Sequence, residues 1–270
     1  MSQGMTRRVP VVGRPSDSWT ITLILLGISV SAWVATARLA APDMRLGVLT
    51  SPAMMPASGQ MTGMSTMPAG LFIASWTLMM TAMMLPSFLP AATTFHALTR
   101  AVTRARGATT LFTAGYLLVW SVTGMAAYLL SRVLQVMLPA GSLGALRGGG
   151  ALLALVGLYQ LTPLKSAFLR RCREPESCIA PPSLGRGAMS AVRNGITQGV
   201  YCVGSSWSLM LALLLLGMMN LAWMGVIAAI IFVEKVVPKG DLIAKGIGVG
   251  LFALGILLLV SPNPLPALMG

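Results

Sequence analysis

Seven stretches of this chain are apolar over lengths close to, or above, the roughly 20 residues that a helix needs to cross a lipid bilayer. Charged residues make up only 9% of the 270 residues, hydrophobic residues make up 56%, and the mean hydropathy is +0.80. A water-soluble domain cannot cover its surface with so few polar side chains. The sequence therefore predicts an all-α fold, a polytopic integral membrane helical bundle of about seven transmembrane helices.

The predicted spans form a single transmembrane domain over residues 17–261, between a basic tail of residues 1–16 and a C-terminal tail of residues 262–270. They are Trp19–Ala41, Gly70–Ala92, Thr109–Leu138, Gly149–Leu169, Gly199–Met218, Leu221–Val237 and Leu242–Val260. Pro86 and Pro90 are expected to kink or end the second span, because proline has no backbone N–H to continue the helical hydrogen bonds.

Lysine and arginine set the predicted orientation, because they are enriched in the cytoplasmic loops of membrane proteins. With the N-terminus in the cytoplasm, all but four of the 19 Lys and Arg residues fall on the cytoplasmic side. A loop over residues 42–69 then lies outside and a loop over residues 170–198 lies inside, with the protein in the cell inner (plasma) membrane. If the fifth and sixth spans were one long helix or a re-entrant pair, the C-terminus would lie in the cytoplasm instead of outside.

Side chains that support catalysis are scarce. The chain has one histidine and six acidic residues, and it contains no Ser/His/Asp set, paired carboxylates or P-loop. We therefore expect a protein that is not an enzyme. Its net charge of +13 comes mainly from the cytoplasmic side, so the expected partner is membrane lipid and not nucleic acid.

Methionine is the unusual side chain of this sequence, since ten of the 20 methionines lie between residues 44 and 84. Six of the ten are in the external loop, and the last three of these are Met61, Met64 and Met67. The other four, in the second span, are Met79, Met80, Met83 and Met84. A thioether suits Cu(I) and few other biological ions, but methionine also fills gaps in apolar cores. Both interpretations are open for both groups.

The three cysteines, Cys172, Cys178 and Cys202, are too few for a disulfide framework. The first two fall in the predicted cytoplasmic loop and are interpreted as reduced thiols. Cys202 falls in the fifth span, within a row of small residues that suits close helix packing, namely Gly195, Gly199, Cys202 and Ser206. Similar packing is expected of Gly157, Gly246 and Gly250. Cys202 thus has a packing interpretation beside a metal-ligand one.

Glu234 and Lys235 lie at the inner end of the sixth span. Glu234 is expected to pair with Lys165 or with an arginine of the loop over residues 170–198. Such a pair near a membrane interface more often fixes the position of a helix than it moves ions. A structural role is therefore predicted for Glu234, Lys235 and Lys165.

Four sequence blocks follow one another between about residues 70 and 240. They are MMTAMMLPS from Met79, YQLTPLK from Tyr159 with CREP from Cys172, GVYCVG from Gly199 with WSLM from Trp207, and GMMN from Gly217 continuing to Glu234 and Lys235. In this order the blocks resemble a bacterial family of predicted metal-binding integral membrane proteins of unknown function. The resemblance implies a helical membrane bundle that binds a metal ion.

The chain departs from that family's pattern around its thiols. The family has two further cysteines after Cys202, where this chain has Ser205 and Ser206. It also tends to have a cysteine shortly after Lys165, where this chain reads Ser166, Ala167 and Phe168. A thiolate cluster holds Cu(I) or Zn(II) tightly, whereas a lone thiol beside two hydroxyls does not. The departures raise the question whether this chain has lost the family's thiolate site.

Two functions are compatible with these residues. In the first, the protein handles copper, so that Cu(I) is captured by Met61, Met64 and Met67 and passed to Met80, Met83, Met84 and Cys202 for uptake or for loading a membrane metalloenzyme. In the second, it is a non-catalytic accessory subunit of a larger membrane complex, such as a copper-dependent monooxygenase or oxidase, and the Met-rich loop is a docking surface. The spacing of the loop methionines favours the first function, and the serine replacements favour the second.

Overall fold

The computed structural model of the protein describes residues 15–39, 68–102, 107–137, 143–174, 188–216, 220–238 and 240–260. Within these ranges the chain forms eight helices and no strand, so the all-α prediction is confirmed. The helices are α1 (Pro15–Leu39), α2 (Ala69–Val102), α3 (Ala108–Met137), α4 (Leu143–Leu161), α5 (Pro163–Arg173), α6 (Ala188–Leu216), α7 (Leu221–Val236) and α8 (Gly240–Val260). Met61, Met64, Met67 and Cys178 lie outside the described residues.

Five of the described helices, α1, α2, α3, α6 and α8, are long and apolar enough to cross a membrane. The number is six if α4 and α5, which meet at an angle of 62°, form one broken span. Helix α7 has 16 residues, fewer than the roughly 20 that a spanning helix needs. Large apolar side chains such as Leu23, Val122 and Val249 are exposed on the outside of the bundle. The fold permits a multi-pass membrane protein, but it does not confirm seven spans.

Helix α2 does not end at its prolines, so that part of the prediction for the second span was wrong. It continues through Pro86 and Pro90 to Val102. Pro86 has no N–H to donate to the carbonyl of Ala82, one turn earlier. The hydroxyl of Ser29 in α1 donates to that carbonyl instead, at 2.8 Å. A neighbouring helix therefore satisfies the backbone group that the proline leaves free.

The segment predicted as the cytoplasmic loop, residues 170–198, is helical at both ends. Helix α5 runs to Arg173 and α6 already begins at Ala188. The predicted fourth span is broken at Thr162, which caps the N-terminus of α5 by accepting a hydrogen bond from the Lys165 N–H at 3.4 Å. Pro163 follows at the first helical position, where a missing N–H costs nothing. The cap and the proline together turn the chain away from the axis of α4.

Glycines bring α3 and α6 together in a parallel pair. A Cβ at Gly195 would overlap the carbonyl oxygen of Phe112, and a Cβ at Gly115 would overlap that of Val192. Gly199, one turn further along α6, packs against the Val119 side chain of α3. The small-residue surface predicted at Gly195 and Gly199 is therefore the α3–α6 interface.

Helices α4 and α8 form a second close pair, which is antiparallel. Gly157 of α4 packs against the backbone of α8, as expected from the sequence. The matching glycines of α8 are Gly248 and Gly255, whereas a Cβ at Gly246 or Gly250 would meet no atom within 4 Å. The expectation for Gly246 and Gly250 was wrong because both lie on the opposite face of the helix.

Gly195→Ala should lower the free energy of unfolding by about 1–3 kcal/mol, the usual cost of overpacking a well-packed contact. The added methyl group meets the backbone of α3, which cannot turn aside as a flexible side chain can. Thermal unfolding of the purified protein in detergent measures the effect. Gly246→Ala is the matched control and should be neutral or slightly stabilising. Equal losses in the two variants would contradict the proposed interface.

Candidate functional site

Four buried methionines lie on one side of α2, and we call them the methionine group: Met79, Met80, Met83 and Met84. Each is at most 2% exposed. At 3.6 residues per turn they cover an arc of about 140° around the helix, on the same side as Trp76. The Trp76 indole N–H donates to Trp120 O at 3.1 Å, so this side faces α3. Helix α1 packs on the other side, where Ser29 reaches Ala82.

The methionine group shares a hydrophobic core with aromatic rings of α2 and α3. Phe88, one turn beyond Met84, stacks on Tyr116 with 4.1 Å between ring centroids and on Phe112 with 5.2 Å. Burial among aromatic rings is what the packing interpretation of these methionines expects. Their sulfur atoms nevertheless keep the capacity to bind Cu(I), since packing contacts leave the lone pairs of a thioether available.

Cys202 of α6 lies at a junction of four helices. Its Sγ accepts a hydrogen bond from Lys235 Nζ of α7 at 2.8 Å, and it is hydrogen-bonded to Tyr116 Oη of α3 at 3.0 Å. The thiol of Cys172, near the end of α5, lies 3.9 Å from the Nε2 of Gln198, which is one turn before Cys202 on α6. Cys202 is 1% exposed, whereas Cys172 is partly exposed. We call Cys172, Cys202, Tyr116 and Lys235 the thiol cluster.

Polar side chains of α6 surround the thiol cluster. Gln198 Nε2 donates to Cys172 O at 3.2 Å and lies 3.9 Å from Cys172 Sγ. The hydroxyl of Ser205 donates to Cys202 O at 2.8 Å. Ser206 donates to the same carbonyl at 2.7 Å. The serines at the positions of the family's cysteines therefore both donate to the backbone carbonyl of Cys202.

A buried ion pair joins α5 to α7 next to this cluster. Lys165 Nζ and Glu234 Oε2 are 2.8 Å apart, and both side chains are at most 2% exposed. Lys165 Nζ also donates to Gln160 Oε1 at the end of α4. Because an unpaired charge is costly to bury, this pair strongly favours the observed docking of α5 on the bundle.

A second set of hydrogen bonds strengthens the contact between α5 and α7. The guanidinium of Arg173 donates to Glu234 O and to Val237 O at the end of α7. Arg173 follows Cys172 in the chain, and Glu234 precedes Lys235. The contacts of α5 with α7 therefore hold the Cys172 thiol at the junction where the Lys235 ammonium lies.

The structure brings together most of the site residues predicted from the sequence. One continuous hydrophobic core contains Met80, Met83, Met84 and Cys202. Lys165 pairs with Glu234, and Lys235 donates to the Cys202 thiol. In the part of the chain that the structure describes, no three His, Cys, Asp or Glu side chains are close enough to hold a metal ion. Any soft-metal site there must use two thiols or include methionine.

Cys172, Tyr116 and Gln198 were not predicted as site residues. Cys172 is a free thiol, as predicted, but it does not lie in a loop, because α5 extends past it and packs on α6. One signal was present in the sequence: Cys172 follows Lys165 by seven residues, which places both on the same face of a helix. No comparable signal points to Tyr116, whose partner Cys202 is 86 residues away in the chain.

The described helices form a bundle of the membrane type whose interior contains thiol and thioether side chains. The family model described as PpoB2, copper chaperone, matches residues 73–258. The match covers more than half of the chain, which therefore belongs to the PpoB2 copper chaperone family. It agrees with the resemblance to a metal-related bacterial family, and it contains both the methionine group and the thiol cluster. No curated protein and no solved structure matches the chain.

Proposed function

We propose that the protein is a non-catalytic copper chaperone of the cell inner membrane, with its N-terminus in the cytoplasm. Cu(I) is its cargo. The ion is captured outside the membrane by Met61, Met64 and Met67 and is passed into the bundle to Met80, Met83, Met84 and Cys202. The recipient is a membrane metalloenzyme that depends on copper, such as a monooxygenase or an oxidase.

One observation carries this proposal: thioethers and a thiol lie inside one continuous core in the part of the chain that matches a copper chaperone family. Thioethers and thiolates are the ligands that select Cu(I) over the harder ions of the cell. A core that needed only apolar volume would be served as well by leucine, which does not oxidise. The position of these sulfur atoms supports a role in holding the ion.

The order of the sulfur atoms along the chain also supports a transfer path. The Met-rich loop leads into α2, and Met79 is ten residues beyond Ala69, or about 15 Å along the helix axis. One turn past Met84, Phe88 stacks on Tyr116, whose hydroxyl is hydrogen-bonded to the Cys202 thiol. The methionine group thus lies between the loop and the thiol cluster.

Changing Met61, Met64 and Met67 together to leucine tests the capture step, because leucine keeps the apolar volume and removes the ligand. We expect copper accumulation in cells, and metallation of the recipient enzyme, to fall to the level seen without the protein. The matched control is the triple leucine variant of three exposed methionines, Met125, Met137 and Met189. It should behave as the unchanged protein. Unaffected copper handling in the loop variant would contradict capture by the loop.

Elemental analysis of the protein purified gently in detergent tests the proposed function as a whole. Copper near one equivalent on the isolated protein is the expected result. A metal-free protein that takes up no added Cu(I) and elutes in fixed ratio with the subunits of an enzyme would overturn the chaperone function. That outcome would favour the accessory subunit instead.

A further inference from the structure

We propose that Cys172 and Cys202 are the two ligands of a Cu(I) site where α5 meets α6, and that Lys235 is the counter-cation of that site. The inference rests on the proposed function and adds to it the position where the bundle holds the ion. It replaces the lone Cys202 with a pair of thiols from two helices.

The first argument is the geometry of the two thiols. They belong to different helices, and both are free. Cys172 Sγ lies 3.9 Å from the Nε2 of Gln198, one turn before Cys202 on α6, so the two thiols lie at the same helix junction. One ion bound between them would join α5 to α6. Thiolates are the softest ligands that a protein offers, so the pair favours Cu(I). Two thiols from α5 and α6 therefore supply what Ser205 and Ser206 cannot.

The second argument is charge. When Cu(I) binds two thiols, the thiols release their protons, and two thiolates with one monovalent ion carry a single net negative charge. A buried net charge is unfavourable unless an opposite charge lies next to it. Lys235 Nζ lies 2.8 Å from Cys202 Sγ, which is where the neutralising cation is needed. A cysteine that served only for packing has no need of an ammonium group.

The third argument comes from polar groups around the thiols. Tyr116 Oη lies 3.0 Å from Cys202 Sγ and can donate to a thiolate there, which would orient the sulfur as a ligand. Gln198 Oε1 is buried and has no hydrogen-bond partner among the described residues. The nitrogen of the same side chain, Nε2, donates to Cys172 O. An unpaired buried acceptor beside two thiols is typical of a pocket that a bound ion or water completes.

The two thiols differ in exposure, which suggests the direction in which an ion would move between them. Cys202 is buried in the core that contains the methionine group, whereas Cys172 is partly exposed at the end of α5. An ion that reaches Cys202 from the core can therefore be shared with Cys172 and released at the surface. Exchange between thiolates proceeds through such shared coordination, because neither ligand has to leave before the next one binds.

Cu(I) titration of the full-length protein in detergent, without oxygen and against a chromogenic Cu(I) chelator, tests the site. We expect the unchanged protein to compete with the chelator and to show ultraviolet absorption from thiolate-to-copper charge transfer. Cys172→Ser and Cys202→Ser should each lose the absorption and most of the affinity. Cys178→Ser, which removes the third cysteine, is the matched control and should keep both. Elution volume and thermal unfolding confirm that the variants are folded.

X-ray absorption of the unchanged protein loaded with one equivalent of Cu(I) gives a readout that needs no variant. Two thiolate sulfur neighbours are expected, and a shell of thioethers alone would overturn the inference. If both cysteine variants bind Cu(I) as well as the unchanged protein while leucine at Met80, Met83 and Met84 abolishes binding, the two-thiol site is wrong and the proposed function stands. If the unchanged protein binds no Cu(I), the proposed function fails together with the site.

Discussion

Glu234→Gln should lower the free energy of unfolding by about 3–5 kcal/mol, because it leaves the buried ammonium of Lys165 without a counter-charge. The two charged groups are 2.8 Å apart and at most 2% exposed, so water cannot replace the lost carboxylate. The loss should also loosen α5, since this pair joins α5 to α7. Thermal or chemical unfolding in a fixed detergent measures the change.

Glu174→Gln is the matched control, because Glu174 is exposed at the end of α5, and its effect should stay within about 0.5 kcal/mol. A double variant, Lys165→Met with Glu234→Leu, removes both charges and should recover most of the lost stability. If Glu234→Gln alone were as stable as the unchanged protein, the ion pair would not be what holds α5 in place.

Lys235→Gln should weaken Cu(I) binding by about 10–100-fold, the usual cost of removing a group that supports a metal ligand from the second layer of contacts. Lys235 Nζ donates to Cys202 Sγ at 2.8 Å, and its charge would neutralise the complex of two thiolates with Cu(I). Glutamine keeps a hydrogen-bond donor and removes the charge. Competition with a chromogenic Cu(I) chelator gives the ratio of the two affinities.

Two further variants test whether the positive charge of Lys235 is what supports Cu(I) binding. Lys235→Arg retains the positive charge and should bind Cu(I) more tightly than Lys235→Gln. Lys245→Gln removes an exposed lysine of α8 and should bind as the unchanged protein does. An affinity that is the same in Lys235→Gln and in the unchanged protein would contradict the role of counter-cation, while leaving both thiols as ligands.

Most helices could be predicted from the sequence alone. The predicted third span, Thr109–Leu138, corresponds to α3, and the predicted seventh span, Leu242–Val260, corresponds to α8. The length of an apolar stretch can be read from the local sequence, so it predicts such helices independently of what they pack against. The ends of helices with a proline or a cap were less predictable. Helix α2 passes through Pro86 because a hydroxyl of α1 reaches the free carbonyl, and no local pattern records that contact.

The candidate site was also predictable only in part. The methionine group and Cys202 stand out in the sequence through residue type and spacing. The pairing of Cys172 with Cys202 does not, because it depends on the docking of α5 against α6 and α7. That docking comes from Lys165, Glu234 and Arg173, which are far apart in the chain.

An all-α bundle with long apolar helices and a concentration of sulfur side chains could be predicted from the sequence. Composition and local periodicity suffice for that, because backbone hydrogen bonds within each apolar stretch are satisfied by the helix itself. Which thiols share a helix junction, and which cation contacts them, depends on how the helices pack. Those contacts join helices distant in the chain, and their energies come from burial and charge pairing, which no single stretch of sequence contains.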